Sequence, residues 1–262
     1  MGKTSEYSEM RRQPTILLCN DDGIEAEGLK SLAKEIKKFA RIIVVAPHTQ
    51  QSAVGHSITM SNPIRVNKVL MFKDFYGFAV EGTPADSVKL AVHTLLKDIK
   101  IDLLISGINQ GANTAINIIY SGTVSAATEG TILGIPSIAV SLTSYTYRDF
   151  SLAARYTAKI AKRVLRYGLP AGTLLNVNIP PTEHIKGILI TKQGKSSWDD
   201  TYEIRLDPSK RQYFWLTGKM NKVDNSLEYD IKAVDEGYIS ITPIHYDLTD
   251  YNMIEELKKW KF

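Results

Sequence analysis

Two adjacent aspartates, Asp21 and Asp22, come directly after an apolar run and directly before Gly23. Consecutive side chains of an extended strand point to opposite faces, so two carboxylates converge only where the chain bends, and glycine permits such a bend. Carboxylates that lie close together repel each other unless a cation lies between them, and their oxygens suit a hard divalent ion such as Mg²⁺ or Mn²⁺. The pattern predicts a metal site, with a polar turn before a helix as the alternative.

A second polar segment follows the next apolar run and contains His48, Ser52 and His56. Ser52 lacks the Gly-x-Ser-x-Gly surroundings of a hydrolase nucleophile, so the sequence does not favour that role. Either histidine could serve as a proton donor or a ligand, although a lone histidine in a loop is usually a surface residue. The segment therefore predicts a polar loop near the aspartates and leaves the role of its histidines open.

Glycines and amides follow the third apolar run, in the segment Ser106–Asn113. Within it, Asn109 is placed to complete an oxygen-rich metal site. Further along, the segment Tyr120–Ser125 opens a helix, and the N–H groups of a helix start, with Ser121 and Thr123 beside them, form a phosphate cradle. Ordinary helix capping is the alternative for this segment. Carboxylates, amides and an anion-binding helix start together predict metal-assisted hydrolysis of a phosphate ester.

The elements that must position these side chains alternate along the chain. Five short apolar runs show no apolar–polar alternation, which is typical of parallel strands covered on both faces. They are Thr15–Cys19, Ile42–Ala46, Ile101–Ser106, Ser137–Leu142 and Leu174–Val177. Amphipathic helices lie between them, one of them capped by Thr83. This order predicts an α/β, Rossmann-like three-layer sandwich with a mostly parallel sheet, whose ligands bind beyond the carboxyl ends of the strands.

The pattern changes after about residue 190. The segment Tyr202–Leu206 alternates apolar with polar residues, a turn follows, and Gln212–Leu216 returns, which predicts a β-hairpin. Its aromatic side chains favour a protein contact, with stacking on nucleic-acid bases as the alternative. One more strand, Gly237–Thr242, and a final helix capped by Thr249 follow.

The predicted elements fit one domain. We expect a disordered tail over residues 1–13 and a single α/β domain over residues 14–262. The hairpin is an excursion from that domain over about 195–235, and the C-terminal helix covers about 250–260.

Composition excludes several classes of protein. The chain has 262 residues, a net charge of +4 and one cysteine, Cys19. A lone cysteine excludes an intramolecular disulfide and a cysteine-rich zinc site, and its place in an apolar run predicts a buried strand residue. No apolar run approaches the roughly 18 residues that cross a bilayer, and the charge excess is far below that of a nucleic-acid-binding protein. We expect a soluble, cytoplasmic protein with no membrane or nucleic-acid partner.

From Ile16 to Trp260 the chain resembles the SurE family of stationary-phase survival proteins. The stretches that carry the resemblance are Leu17–Gly23, Val45–Ser52, Glu81–Asp86, Ser106–Asn113, Tyr120–Ala127, Asp207–Gly218 and Glu236–Pro243. The resemblance implies one divalent metal ion per subunit, Mg²⁺ or Mn²⁺. The implied metal ligands are Asp21, Asp22, Ser52 and Asn109, of which Asp21, Asp22 and Asn109 are also the implied catalytic residues. The implied phosphate-binding residues are Asn113, Ser121, Gly122 and Thr123.

The activity that the resemblance implies is that of a metal-dependent 5′-nucleotidase. Family members remove phosphate from nucleoside 5′-monophosphates, and some act on 3′-monophosphates or polyphosphate. The resemblance also implies a homodimer or homotetramer that uses the hairpin extension for oligomerisation. Two alternatives are a nucleotide-binding regulator without turnover and an RNA-binding protein. For the enzyme, the nucleophile is either a metal-activated water or one of the two aspartates.

The chain departs from the family pattern in two loops. His48 stands where the family usually has an acidic residue after Ala-Pro. The family's Asn-x-Gly-x-Asp run becomes Asn113-Thr114-Ala115-Ile116-Asn117 in this chain. All four expected metal ligands are present, so the catalytic hypothesis stands, and the substituted loops bear on loop geometry and substrate preference.

Overall fold

The computed structural model describes residues 12–73 and 75–261. Most of the predicted N-terminal tail, residues 1–11, lies outside the described residues. Arg12 is described, and its guanidinium forms a salt bridge of 2.7 Å with Asp102. The chain therefore contacts the body of the fold from residue 12 onward.

The described residues form eleven strands and seven α-helices. The strands are β1 (Thr15–Cys19), β2 (Arg41–Pro47), β3 (Val66–Phe72), β4 (Phe75–Val80), β5 (Leu103–Gln110), β6 (Ser137–Leu142), β7 (Thr173–Ile179), β8 (Ile188–Ile190), β9 (Ser197–Leu206), β10 (Gln212–Asn221) and β11 (Ile239–His245). The helices are α1 (Glu27–Ile36), α2 (Pro84–Leu90, continued by a π-helical turn over Ala91–Leu95), α3 (Asn117–Tyr120), α4 (Gly122–Ile132), α5 (Ser151–Tyr167), α6 (Asp230–Asp235) and α7 (Tyr251–Leu257). None of these helices is long and apolar enough to cross a membrane.

Nine strands form one sheet in the order β3-β4-β2-β1-β5-β6-β7-β11-β8. The six strands from β4 to β7 in that order are parallel, whereas β3 runs antiparallel to β4 and β11 runs antiparallel to β7. All five predicted strands are present in the parallel part. The predicted strands do not include β3 and β4, which pair antiparallel at one edge of the sheet. Both contain apolar runs, Val69–Phe72 and Phe75–Val80, so the local pattern could have identified them as a hairpin.

Side chains of the central strands alternate between two apolar cores. On β1, Ile16 and Leu18 belong to the core that includes α1 and α5, whereas Leu17 and Cys19 belong to the core that includes α2 and α4. The sheet is therefore covered on both faces, and the predicted α/β fold with a mostly parallel sheet is confirmed. Cys19 is fully buried as predicted, and burial raises the pKa of its thiol.

Capping residues set the ends of two helices. At the start of α2, the hydroxyl of Thr83 accepts the N–H of Asp86 at 3.0 Å, and the Asp86 carboxylate accepts the N–H of Thr83 at 2.9 Å. This reciprocal pair is a capping box, as the sequence predicts. The prediction that Thr249 caps the last helix is wrong, because Asp250 occupies that position and accepts two N–H groups of the first turn at 3.0 Å each. A carboxylate there also interacts favourably with the positive end of the helix.

Strands β9 and β10 form a separate two-stranded antiparallel hairpin, so the predicted hairpin is present. Alternate residues of a strand share one face, which places five large exposed side chains together. This apolar hairpin face consists of Tyr202, Ile204, Leu206, Phe214 and Leu216. The hairpin therefore projects from the sheet with an apolar face that the described residues leave exposed.

Candidate functional site

A cleft of about 330 Å³ opens where β1 and β5 end, against the start of α4. Parallel α/β sheets bind their ligands at this edge. Six of the predicted site residues line the cleft: Asp21, Asp22, Ser52, Asn109, Asn113 and Ser121. The other two, Gly122 and Thr123, are buried in the first turn of α4 beside Asp21. The structure thus brings the predicted residues together, six of them at the cleft wall and two behind it.

Asp21 is deeply buried, with only 5% of its surface exposed. The chain bends after it at Gly23, whose φ of +96° favours glycine. The hydroxyl of Thr123 donates a hydrogen bond to the Asp21 carboxylate. Burial raises the pKa of Asp21 to about 6, the hydrogen bond from Thr123 opposes the rise, and the charge of Asp22 adds to it. A cation at this point would stabilise the ionised form.

Asp22 is held by a different element. Its Oδ2 accepts the backbone N–H of Gln110 at 3.1 Å, which connects it to the end of β5. Burial raises the pKa of Asp22, and the Gln110 N–H opposes that rise. The two aspartates are therefore fixed independently, Asp21 by α4 and Asp22 by β5, while both line the same cleft.

Asn109 reaches the cleft through an irregularity in β5. The register of β5 against β6 shifts between Ser106 and Asn109, and such a bulge re-aims the side chains at that point. The amide nitrogen of Asn109 donates to the carbonyl oxygen of Gly111 at 2.8 Å. Because the nitrogen is engaged, the amide oxygen is the atom that Asn109 can offer as a ligand.

Ser52 lies in the loop after β2, at the exposed rim of the cleft. Its hydroxyl accepts a hydrogen bond from the side-chain amide of Gln50 at 2.7 Å, and Gln50 also lines the cleft. The backbone N–H of Gln51 donates to the carbonyl of Asp21 at 2.7 Å. This bond joins the loop to the end of β1 and brings Ser52 to the aspartates.

The first turn of α4 packs closely on the end of β1. A Cβ at Gly122 would lie 2.8 Å from the Cβ of Asp21, so glycine is required there. The hydroxyl of Ser121 accepts the N–H of Val124 at 3.1 Å and caps the helix. Capping therefore accounts for the Ser121 hydroxyl, and the Thr123 hydroxyl is engaged by Asp21. An anion at this helix start would meet the backbone and the positive end of the helix rather than these two hydroxyls.

Asn113 is clamped by polar side chains that the sequence pattern does not single out. Its backbone N–H donates to Oδ1 of Asn178 at 2.9 Å, and its carbonyl accepts the side-chain amides of Asn176 and Asn178 at 2.8 and 3.0 Å. Its own amide donates to the hydroxyl of Ser141 at 2.8 Å. Asn176 and Asn178 are fully buried. The signal that could have identified them is two amides at alternate positions of an otherwise apolar strand, β7.

Residues 16–200 match the family model described as survival protein SurE, and the matched segment is more than half of the chain. The chain belongs to the SurE family.

Similarity to individual SurE proteins extends over nearly the whole chain. Two proteins named 5′-nucleotidase SurE, from Chlorobium phaeobacteroides and Natranaerobius thermophilus, are each 47% identical to it, over 251 and 258 residues. The alignments cover 95% of this chain and 97% of the first protein, and 94% of this chain and 98% of the second. The crystal structure of SurE protein from Aquifex aeolicus matches with a TM-score of 0.82 and 42% identity, covering 94% of this chain and 98% of that one.

One departure from the SurE pattern lies beside the cleft. Ala115, at the position where the pattern has glycine, has a φ of +51° and is fully buried. Its N–H donates to the Asp230 carboxylate at 3.0 Å, and its carbonyl accepts the side-chain amide of Gln193 at 2.9 Å. These two bonds hold a left-handed conformation that alanine disfavours, so the loop bends here without a glycine.

A second departure from the SurE pattern contacts the hairpin. Oδ1 of Asn117 accepts the indole N–H of Trp198 at 2.7 Å, and both residues line the cleft. The sequence pattern does not single out Trp198, because its partner lies 81 positions away along the chain. The hairpin therefore contributes an aromatic side chain to the site.

Neither candidate histidine lines the cleft. His48, the remaining departure from the SurE pattern, is exposed. Nε2 of His56 lies 2.9 Å from the carboxylate of Glu129, which also forms an ion pair with Lys89 at 2.7 Å. The geometry favours a surface position for His48 and a structural contact for His56 over roles as ligands.

The donor set in the cleft fits a hard divalent ion. Two carboxylates, an amide oxygen and a hydroxyl line it, and Mg²⁺ and Mn²⁺ prefer oxygen ligands of this kind. Over residues 12–73 and 75–261, no group of three or more His, Cys, Asp or Glu side chains is arranged to hold a metal ion. The ligands typical of zinc are therefore not gathered in that part of the chain.

Proposed function

We propose that this SurE-family chain is a divalent-metal-dependent 5′-nucleotidase that hydrolyses nucleoside 5′-monophosphates to nucleoside and phosphate. Relatives that are 47% identical to it carry the name 5′-nucleotidase SurE. The observation that supports the proposal most directly is the convergence of two carboxylates, a hydroxyl and an amide on one cleft at the start of α4.

Each group of side chains has a part in the proposed reaction. The residues that would hold one Mg²⁺ or Mn²⁺ per subunit are Asp21, Asp22, Ser52 and Asn109. A bound ion would supply positive charge that polarises the phosphoryl group, and it could also lower the pKa of a water molecule. Thr123 orients Asp21, and the Gln110 N–H orients Asp22. The clamped Asn113 and the backbone at Ser121–Thr123 stabilise the equatorial oxygens of the phosphoryl group.

Two nucleophiles remain compatible with this arrangement. Water can attack phosphorus in line and displace the nucleoside, or one aspartate can displace the nucleoside and form an aspartyl phosphate that water then hydrolyses to free phosphate. Rapid acid quenching during turnover, followed by mass spectrometry of the peptide that contains Asp21 and Asp22, distinguishes them. A phosphorylated aspartate at either position would exclude direct attack by water.

Phosphate release from a panel of substrates tests the proposed function. The panel contains nucleoside 5′- and 3′-monophosphates and polyphosphate, each assayed with Mg²⁺ or Mn²⁺ and with a chelator. We expect metal-dependent release from 5′-monophosphates, reduced about a hundredfold or more in Asp21→Asn. Asp98→Asn, an exposed site away from the cleft, is the matched control. If the wild type releases no more phosphate than Asp21→Asn, the enzyme proposal fails and a nucleotide-binding regulator becomes the better hypothesis.

We also propose that subunits associate through the apolar hairpin face into a homodimer or homotetramer. Its five side chains are 58% to 64% exposed, and exposed apolar patches mark interaction sites. Light scattering is expected to show an oligomer for the wild type and a smaller particle for Ile204→Asp. Trp215→Asp, on the opposite face of the hairpin, is the control and is expected to leave the mass unchanged. A monomeric wild type would contradict the proposal.

A further inference from the structure

Trp198 has a fixed position at the base of the hairpin. It lies in β9 opposite Met220 of β10, and its indole N–H is bonded to Asn117 at 2.7 Å. The side chain nevertheless remains 41% exposed. Because the hydrogen bond fixes the orientation of the indole, its exposed part offers a rigid aromatic surface that a ligand can contact.

The catalytic cleft adjoins a larger groove, and Trp198 is one of the residues that line both. This groove has a volume of about 720 Å³ and lies between the hairpin and the segment 116–120. Trp198, Asn117, Tyr120 and Ala53 line both the cleft and the groove. Tyr120 directly precedes Ser121, the residue that caps α4, and it is 56% exposed. The groove therefore opens beside the place where the proposed function puts the phosphate.

The lining of the groove suits a neutral aromatic group. It contains the aromatic residues Tyr120 and Trp198, the apolar residue Ile116 and the acidic residue Asp200. Leu216, at the edge of the apolar hairpin face, also lines it. No Lys or Arg is among the described residues that line it. A chain of further phosphates would meet the carboxylate without a compensating cation, which is unfavourable. A nucleobase instead offers a π face, and stacking on an aromatic side chain tolerates any base.

We propose that this groove is the nucleoside subsite, in which the base of a nucleoside monophosphate stacks on Trp198 while its phosphate lies in the catalytic cleft. The inference rests on the proposed function, because it takes a nucleoside monophosphate as the substrate. Trp198 then determines nucleotide affinity and does not touch the reacting atoms. Ribose 5-phosphate carries the same phosphate without a base, so it does not make the stacking contact with Trp198.

Steady-state kinetics with AMP and with ribose 5-phosphate test the subsite. We expect Trp198→Ala to raise KM for AMP roughly tenfold, the effect of losing one base–aromatic stack, and to leave KM for ribose 5-phosphate unchanged. Trp215→Ala is the matched control, because Trp215 lies on the same hairpin and lines neither cavity. An equal change for both substrates would indicate a structural role and overturn the proposal, as would no change for either.

Adenosine binding followed by tryptophan fluorescence tests the subsite without catalysis. Adenosine is expected to quench the emission of the wild type and of Trp215→Phe, and to leave Trp198→Phe unquenched. Trp198→Phe keeps an aromatic ring, so its KM for AMP is expected to stay within about threefold of the wild-type value. Quenching of Trp198 without phosphate release from any substrate would refute the proposed function and leave the subsite standing. Phosphate release without quenching would refute the subsite alone.

Discussion

The hydroxyl of Thr123 donates a hydrogen bond to the carboxylate of Asp21, which joins the first turn of α4 to the end of β1. Thr123 is fully buried, and Asp21 is 5% exposed. The helix whose start is proposed to face the phosphate is therefore the helix that orients a proposed metal ligand. This one contact fixes the proposed metal ligand relative to the proposed phosphate-binding helix start. A substitution at Thr123 or at Asp21 is therefore expected to disturb the position of both.

Thr123→Val removes this hydroxyl and keeps the shape of the side chain. We expect kcat/KM for a nucleoside 5′-monophosphate to fall about tenfold, because a hydrogen bond to a charged group contributes roughly 1.5–3 kcal/mol. Thr128→Val is the control, since the Thr128 hydroxyl bonds the carbonyl of Val124 within α4 at 3.0 Å. Equal losses in the two variants would show that helix packing, and not the orientation of Asp21, is responsible.

Asn176 and Asn178 of β7 hold Asn113 by different numbers of hydrogen bonds, so we expect their substitutions to destabilise the protein to different extents. Asn178→Ala removes two hydrogen bonds to the Asn113 backbone, whereas Asn176→Ala removes one together with an amide oxygen that has no partner within the described residues. We expect the free energy of unfolding to fall by about 2–3 kcal/mol in the first variant and by about 1 kcal/mol in the second. KM for the nucleotide is expected to rise more in the first. Urea denaturation and steady-state kinetics measure both quantities, and the reverse order would contradict the clamp.

The left-handed conformation of Ala115 predicts that valine at this position destabilises the fold, whereas glycine is tolerated. Ala115→Val places a β-branched residue at a φ of +51° in a fully buried site, so we expect a loss of about 2–4 kcal/mol in unfolding free energy. In Ala115→Gly, relief of backbone strain offsets the lost methyl group and the added freedom of the unfolded chain, so we expect a change below about 1 kcal/mol. Thermal and urea denaturation test this pair. A well-tolerated valine would show that the loop does not hold this conformation in solution.

Asp86 predicts a dependence of stability on pH. Burial raises the pKa of its carboxyl group, but hydrogen bonds from Thr59 and Thr83 outweigh burial, and the net pKa is lowered. A lowered folded-state pKa contributes stability above the unfolded value of about 3.9, and this contribution is lost as pH falls through the folded value. Between about pH 5 and about pH 2.5, the unfolding free energy of the wild type is therefore expected to fall further than that of Asp86→Asn. Parallel slopes for the two proteins would contradict this assignment.

The parallel strands could be predicted because burial on both faces leaves an uninterrupted apolar run. That criterion does not separate β3 and β4 from the parallel strands, because Val69–Phe72 and Phe75–Val80 are apolar as well, and the predicted strands omit both. It also conceals Asn176 and Asn178, because their partners belong to a loop more than 60 positions away. Asp21 and Asp22 could be predicted as metal ligands because two adjacent carboxylates before a glycine lie within one short segment of the sequence. The contact between Asn117 and Trp198 depends on how the hairpin folds back on the cleft, and no local pattern encodes it.

The alternation of the hairpin has a consequence for how its length can change. Trp198 and Ile204 share one face because an even number of positions separates them. Deleting one residue between them would turn one of the two to the opposite face of the hairpin. An insertion or deletion there preserves both faces only in steps of two, whereas the turn at 207–211 can change length freely. Related chains are therefore expected to vary in length at the hairpin turn. Between that turn and the cleft, their strands are expected to differ only by even numbers of residues.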